Sequence, residues 1–136
     1  MASSPSISLV FVNYRSVFSL SLALESLFSF EQERDAFEVI IVNNDKEEEQ
    51  AILALGQKLG LRVYTLPANS GFGSAANFGA AQAKGKFVAF INPDTVWQRP
   101  MLGDIDRFFH DSREEQILGV RLFDRYGRPE AFSRGT

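Results

Sequence analysis

The chain has 136 residues, 45% of them hydrophobic and 23% charged, which is the size and composition of one ordinary globular domain. A net charge of −3 supplies no bulk positive field for a polyanion, so nucleic acid is not an expected partner. The absence of cysteine excludes a disulfide framework, cysteine-ligated zinc and a thiol nucleophile.

The stretch from Ile7 to Phe30 is the most apolar, but Asn13, Arg15 and Glu25 interrupt it, short of the ~20 apolar residues of a membrane span. No Lys or Arg precedes it, so it does not read as a signal peptide. The expected location is cytoplasmic, with peripheral attachment at the inner face of the membrane as an extension of that expectation.

Short β-rich runs alternate with helical stretches. Ile7–Val12 reads as a buried strand, and Val17 to Phe28 as a helix with Leu20, Leu24, Leu27 and Phe28 at three- and four-residue spacing. Phe37–Val42 is a second strand. Lys46 to Lys58 is a second helix, with Ile52, Leu55 and Leu59 on its apolar side and Glu47, Glu48 and Glu49 in its first turn. Gly60 closes that helix, and Leu61–Leu66 is a third strand. The turn Asn69-Ser70-Gly71-Phe72-Gly73 opens an alanine-rich helix that ends near Gly85. Lys86–Ile91 is a fourth strand, halted at Asn92-Pro93-Asp94-Thr95. Pro100 suits the first turn of a helix reaching Phe109. Ile117–Phe123 reads as a fifth strand, before a turn at Tyr126-Gly127-Arg128-Pro129.

This alternation predicts one α/β domain over residues 1–136, a mostly parallel sheet with helices on both faces. Ligands of such sheets bind beyond the carboxyl ends of the strands. Four polar clusters fall there: Asn13-Tyr14, Asn43-Asn44-Asp45, Asn69 to Gly73, and Asn92 to Asp94.

Each cluster has a functional and a plainer reading. Glycines in Asn69–Gly73 let backbone approach a ligand, and N–H groups at the helix start favour anions; a tight turn with small packing residues explains them as well. Gly71 to Ala76 also matches the dinucleotide fingerprint, with Asp94 roughly 20 residues on, although it follows the third strand. A dinucleotide-binding oxidoreductase domain is therefore an alternative, as is a non-catalytic interaction domain. Asp94 is placed to hold Mg²⁺ or Mn²⁺ jointly with a diphosphate, or else to stand in a plain Asn-Pro-Asp turn or cap the next helix. Asn43, Asn44 and Asp45 suit the edge of a base with Tyr14 as a flat surface, or a polar turn in which Asp45 caps a helix. His110, the only histidine, reads as a surface residue at a helix end. Trp97 reads as packing under the Asp94 loop, with facing a sugar as the alternative, and one of Arg121, Arg125, Arg128 and Arg134 could meet a phosphate.

Taken in order, Val12-Asn13-Tyr14, Phe37 to Asn44, Asn69 to Gly79, Phe90 to Thr95 and Gly119 to Pro129 resemble the family-two glycosyltransferases of GT-A fold, in particular the branch of bacterial rhamnosyltransferase-like enzymes. The resemblance implies a Rossmann-like GT-A fold truncated before its acceptor-binding part. It implies a UDP- or dTDP-sugar donor and inverting transfer to a hydroxyl on a glycan or lipid-linked acceptor. Asn13 and Tyr14 then line the base pocket, and Asn43 stands where many members carry a base-reading aspartate, with Asp45 as a compensating carboxylate. Asn69 and Gly71 line the nucleotide pocket. Asn92-Pro93-Asp94 replaces the usual Asp-x-Asp, with Asp94 holding the cation and Asn92 as a neutral neighbour. The catalytic base is expected beyond Thr136, so this part is expected to bind donor with weak or no transfer. Apolar surface left open by a missing half is expected to favour a homodimer.

Overall fold

The computed structural model describes residues 4–111, 114 and 116–130. Among these residues four strands and four α-helices alternate: β1 (Ile7–Asn13), α1 (Val17–Phe30), β2 (Phe37–Asn43), α2 (Glu49–Leu59), β3 (Arg62–Thr65), α3 (Phe72–Ala81), β4 (Phe87–Ile91) and α4 (Leu102–His110). The strands form one parallel sheet in the order β3-β2-β1-β4. Chain order runs outward from β1 through β2 to β3, then crosses to the other flank of β1. The switch point therefore lies between β1 and β4.

The central strands are apolar on both sides because helices cover both faces. On one face, Leu9 and Phe11 of β1 and Val39 and Ile41 of β2 pack against Leu20, Ala23, Leu24 and Leu27 of α1, Ile52 of α2 and Leu102 of α4. The α1 residues recur at i, i+3, i+4 and i+7, so one stripe of the helix is dry. Each such leucine contributes about 2 kcal/mol by leaving water. On the other face, Val10, Val12, Ile40 and Val42 meet Ala75 and Ala76 of α3. Small residues bring α3 close to the sheet, but it does not reach over β4, where Val88 and Phe90 stay exposed.

The observed elements follow the expected ones apart from end shifts of one or two residues and the larger differences that follow. The second helix begins at Glu49 rather than Lys46, because Lys46–Glu48 form a separate 3-10 turn capped by Asp45. β1 and β2 each run one residue further, so Asn13 and Asn43 belong to strands and pair in register. α3 stops at Ala81, not near Gly85. Past it the chain descends to the sheet, where the Gly85 N–H donates to Ser8 Oγ at 2.9 Å. α4 begins at Leu102, so Pro100 precedes the helix instead of lying in its first turn. Ile117–Phe123 is not a strand. Local turn bonds take its end: Asp124 N–H donates to the Arg128 carbonyl and Glu130 N–H to the Leu122 carbonyl, leaving a single antiparallel bridge between Phe123 and Pro129. Ile117 itself is fully exposed.

Candidate functional site

The four polar clusters leave the sheet from one rim, because parallel strands end on the same side. Asn13, Asn43 and Thr65 are register partners across β1, β2 and β3. Ile91, the last residue of β4, pairs with Phe11, so Asn92 to Asp94 leave the sheet beside the end of β1.

The centre of the rim is a buried amide network. Asn13 is fully buried, and its Nδ2 donates to Asn43 Oδ1 at 3.0 Å and to Glu48 Oε1 at 3.1 Å. Two acceptors on that side fix the amide orientation. Among the described residues, Asn13 Oδ1 is thereby left buried without a partner. Asn43 spends its capacity internally: Oδ1 also accepts from Asp45 N–H, and Nδ2 donates to the Asp45 carbonyl at 2.8 Å and Thr65 Oγ1 at 3.5 Å. It is a bracket between strand ends. Asp45 caps the turn before α2, its Oδ1 accepting from Glu47 N–H at 3.0 Å. Asp45 Oδ2 is likewise buried with no partner among the described residues. The capping reading is thus observed for one of its oxygens.

Asn44 ties this centre to the glycine turn. Its Nδ2 donates to Asn69 Oδ1 at 2.9 Å and the Gly71 carbonyl at 3.2 Å, and its Oδ1 accepts from Ser70 N–H at 3.1 Å. Asn69 Oδ1 also accepts from Gly71 N–H. Gly71 has φ +82°, a conformation that suits glycine, and no side chain caps the start of α3. The N–H groups of its first turn are therefore free of side-chain competition.

Tyr14 is half exposed just past β1, its ring 5.1 Å from the Arg15 guanidinium carbon. Arg15 adopts φ +54°, a left-handed conformation that costs about 1–2 kcal/mol for such a residue. Asn92 and Asp94 are exposed on the turn after β4, which Thr95 closes by donating from N–H and Oγ1 to the Asn92 carbonyl. Asp94 does not cap a helix, because α4 starts eight residues later. No ion pair engages it among the described residues, and no group of three or more potential ligands surrounds it there. That donor set suits a cation shared with phosphate oxygens and water rather than a protein cage.

Asn44, expected with Asn43 and Asp45 to suit a base edge or a polar turn, bonds the Asn69–Gly71 turn. Glu48 is the member that sequence reasoning missed: it read as a helix-start carboxylate, and its bond to Asn13 has no local signal. Trp97 is buried, and Arg128 pairs with Asp124 at 2.8 Å. Arg134 lies outside the described residues.

A helix-covered parallel sheet whose polar groups gather at the strand carboxyl ends is a Rossmann-like arrangement, and it matches the GT-A fold of the proteins it is similar to. The chain belongs to glycosyl transferase family 2, whose model matches residues 8–134. It is 27% identical over 113 residues to the minor teichoic acid biosynthesis protein GgaB of Bacillus subtilis, covering 80% of this chain and 13% of that protein. An uncharacterised glycosyltransferase of Nostoc sp. is 31% identical over 117 residues, covering 84% of this chain and 35% of its own length. The chain thus spans about a third or less of these relatives. Among solved structures, S. aureus TarS in complex with UDP-GlcNAc superposes with a TM-score of 0.68 at 28% identity, over 78% of this chain and 31% of that one. A mannosyltransferase of Pyrobaculum calidifontis in complex with GDP-Man and Mn²⁺ shares the fold, with a TM-score of 0.59 at 18% identity, over 71% of this chain and 29% of that one.

Proposed function

We propose that the rim binds the nucleoside diphosphate of a UDP- or dTDP-sugar, and that the whole protein transfers the sugar to an acceptor hydroxyl with inversion. One observation carries the reading: among the described residues, Asn13 Oδ1 and Asp45 Oδ2 at the end of the central strands are buried acceptors that lack a donor. A buried unmade hydrogen bond costs about 1–3 kcal/mol. A pyrimidine imide N–H and the ribose hydroxyls are donors of the kind these atoms lack. Membership of family 2 and the likeness to a UDP-GlcNAc complex favour the uridine donor over a dinucleotide.

In this reading Tyr14 lies against the base and Asn69 and Gly71 line the nucleotide pocket. Asn43 holds Asn13 and Asp45 in place. Asp94 holds Mg²⁺ or Mn²⁺ beside the diphosphate, with Asn92 as its neutral neighbour. A cation bound there neutralises charge on the departing diphosphate. In the transfer, the acceptor oxygen bonds to the anomeric carbon as the bond to the diphosphate oxygen breaks on the opposite face. The acceptor proton passes to a carboxylate that we assign to another segment of the protein.

Calorimetric titration with UDP and dTDP, with and without Mn²⁺, tests the reading. Binding of UDP strengthened by Mn²⁺ is expected. Asp94→Ala should remove the strengthening and leave metal-free affinity in place. A folded chain that binds neither nucleotide refutes the proposal, and preferential binding of NAD would support the dinucleotide alternative.

A further inference from the structure

Glu31 is buried at the C-terminal cap of α1, where the negative end of the helix disfavours a carboxylate by about 0.3–1 kcal/mol. Neither its burial nor its position has a reason within α1. Its partners lie 66 to 71 residues later. Oε1 accepts from Trp97 Nε1 at 3.2 Å, Met101 N–H at 2.6 Å and Leu102 N–H at 3.2 Å. Ser26, one turn earlier in α1, accepts from Trp97 N–H through Oγ at 2.9 Å. The last two turns of α1 therefore grip the segment from Trp97 to Leu102 by four hydrogen bonds, three of them on one carboxylate oxygen. Charge-assisted bonds of this kind are roughly twice as strong as neutral ones.

The gripped segment is the far end of the loop that carries Asp94. Its near end is held by β4, and the turn itself is closed on Asn92 by Thr95. Only Val96 separates Thr95 from Trp97, whose ring lies in the core against the sheet. With both ends fixed, the exposed Asp94 carboxylate sits on a short span whose course is set by Glu31.

We infer that Glu31 is a positioning residue for Asp94: through Trp97 and the start of α4 it holds the Asn92–Asp94 turn where a cation and a diphosphate share it. This role rests on the reading of Asp94 as a cation ligand. Glu31 touches neither nucleotide nor cation.

The test titrates UDP into the 136-residue chain, with and without Mn²⁺, for the wild type, Glu31→Ala, Glu31→Gln and Trp97→Phe. Amide hydrogen exchange of the same proteins reads the grip without any ligand. Glu31→Ala should speed exchange at Trp97, Met101 and Leu102 and cut the Mn²⁺ strengthening of UDP binding about tenfold, the scale of outer-shell substitutions at metal sites. Metal-free affinity, set at the other strand ends, should stay within about twofold, a change smaller than one net hydrogen bond. Glu31→Gln keeps a side-chain oxygen acceptor and should restore most of the strengthening. Trp97 is the only tryptophan, so its emission reports the same site and should shift to the red in Glu31→Ala.

Faster exchange with unchanged Mn²⁺ strengthening overturns the inference and leaves Asp94 as ligand. An equal loss of metal-free affinity also overturns it, since Glu31 would then support the fold alone. A wild type that binds UDP without response to Mn²⁺ overturns the reading of Asp94 and this role with it. Where Glu31→Ala does not fold, Trp97→Phe carries the test: it removes the indole N–H together with part of the buried ring, and should weaken the strengthening by about threefold or more, the worth of at least one such bond, while no change overturns the inference.

Discussion

The packing of α3 on the sheet yields a prediction that can be worked in numbers. Gly79 faces β1 and β2 at a point where an added Cβ would lie 2.5 Å from Val10 Cγ1 and 3.0 Å from Val42 Cγ2. Ordinary carbon contacts are about 3.5–4.0 Å, so the helix must retreat by about 1 Å. Neither valine can yield, because both are buried on central strands and branch at Cβ. Overpacking of this kind costs about 1–3 kcal/mol, and alanine returns at most about 1 kcal/mol through helix propensity. Gly79→Ala should therefore destabilise by about 1–2 kcal/mol and lower Tm by roughly 3–6 °C. Gly73, on the same helix, has open space around its Cβ position. Gly73→Ala should be neutral or stabilising by up to about 1 kcal/mol. Thermal unfolding followed by circular dichroism compares the two. An unchanged or raised Tm in Gly79→Ala, or equal losses in both, would refute the argument that close contact requires this glycine.

Two further predictions concern the rim and the C-terminal turn. Asn44→Ala removes three hydrogen bonds to the Asn69–Gly71 turn; stability should fall by about 1–2 kcal/mol in urea unfolding, and UDP affinity should fall with it. Binding that survives unchanged would separate that turn from the nucleotide pocket. The Arg128 backbone N–H on its carboxylate, assisted by the Arg128 guanidinium and the Tyr126 N–H, holds Asp124 below the usual carboxylate range despite partial desolvation. A depressed folded value means the stabilisation is present above the ordinary aspartate pKa, about 3.9, and is lost as pH falls through the lower folded value. The Tyr126–Pro129 turn should therefore keep its amide shifts through neutral pH and change only under acid, and titration near pH 6 would contradict this.

Most of the architecture was legible because hydrophobic period and turn chemistry agreed. The α1 stripe, the Gly60 helix end and the glycine turn after β3 each carried a local signal that tertiary packing reinforced. Ile117–Phe123 shows the limit of such signals. Its β-rich composition matches a strand, but a strand needs a partner ladder, and among the described residues its end bonds to its own turn. The rim was legible as a set of residues but not as a network. Sequence cannot tell that Asn43 is spent internally while Asn13 keeps an open acceptor, because register decides both. Glu31 was invisible for the same reason: nothing near position 31 announces donors some 70 residues away.

Sheet order also bears on how the chain is made. β1 pairs with β2 across a separation of about 30 residues, but with β4 only after about 80, so closing the second flank costs more loop entropy. A chain emerging from the ribosome can assemble β1 to β3 and Asn13 with Asn43 before β4 exists. On that ordering the Asp94 flank is the one added after the amide bracket has closed. Partial opening would then strip the carboxylate from the rim while the amide bracket stays closed, giving two separately melting halves of one crevice.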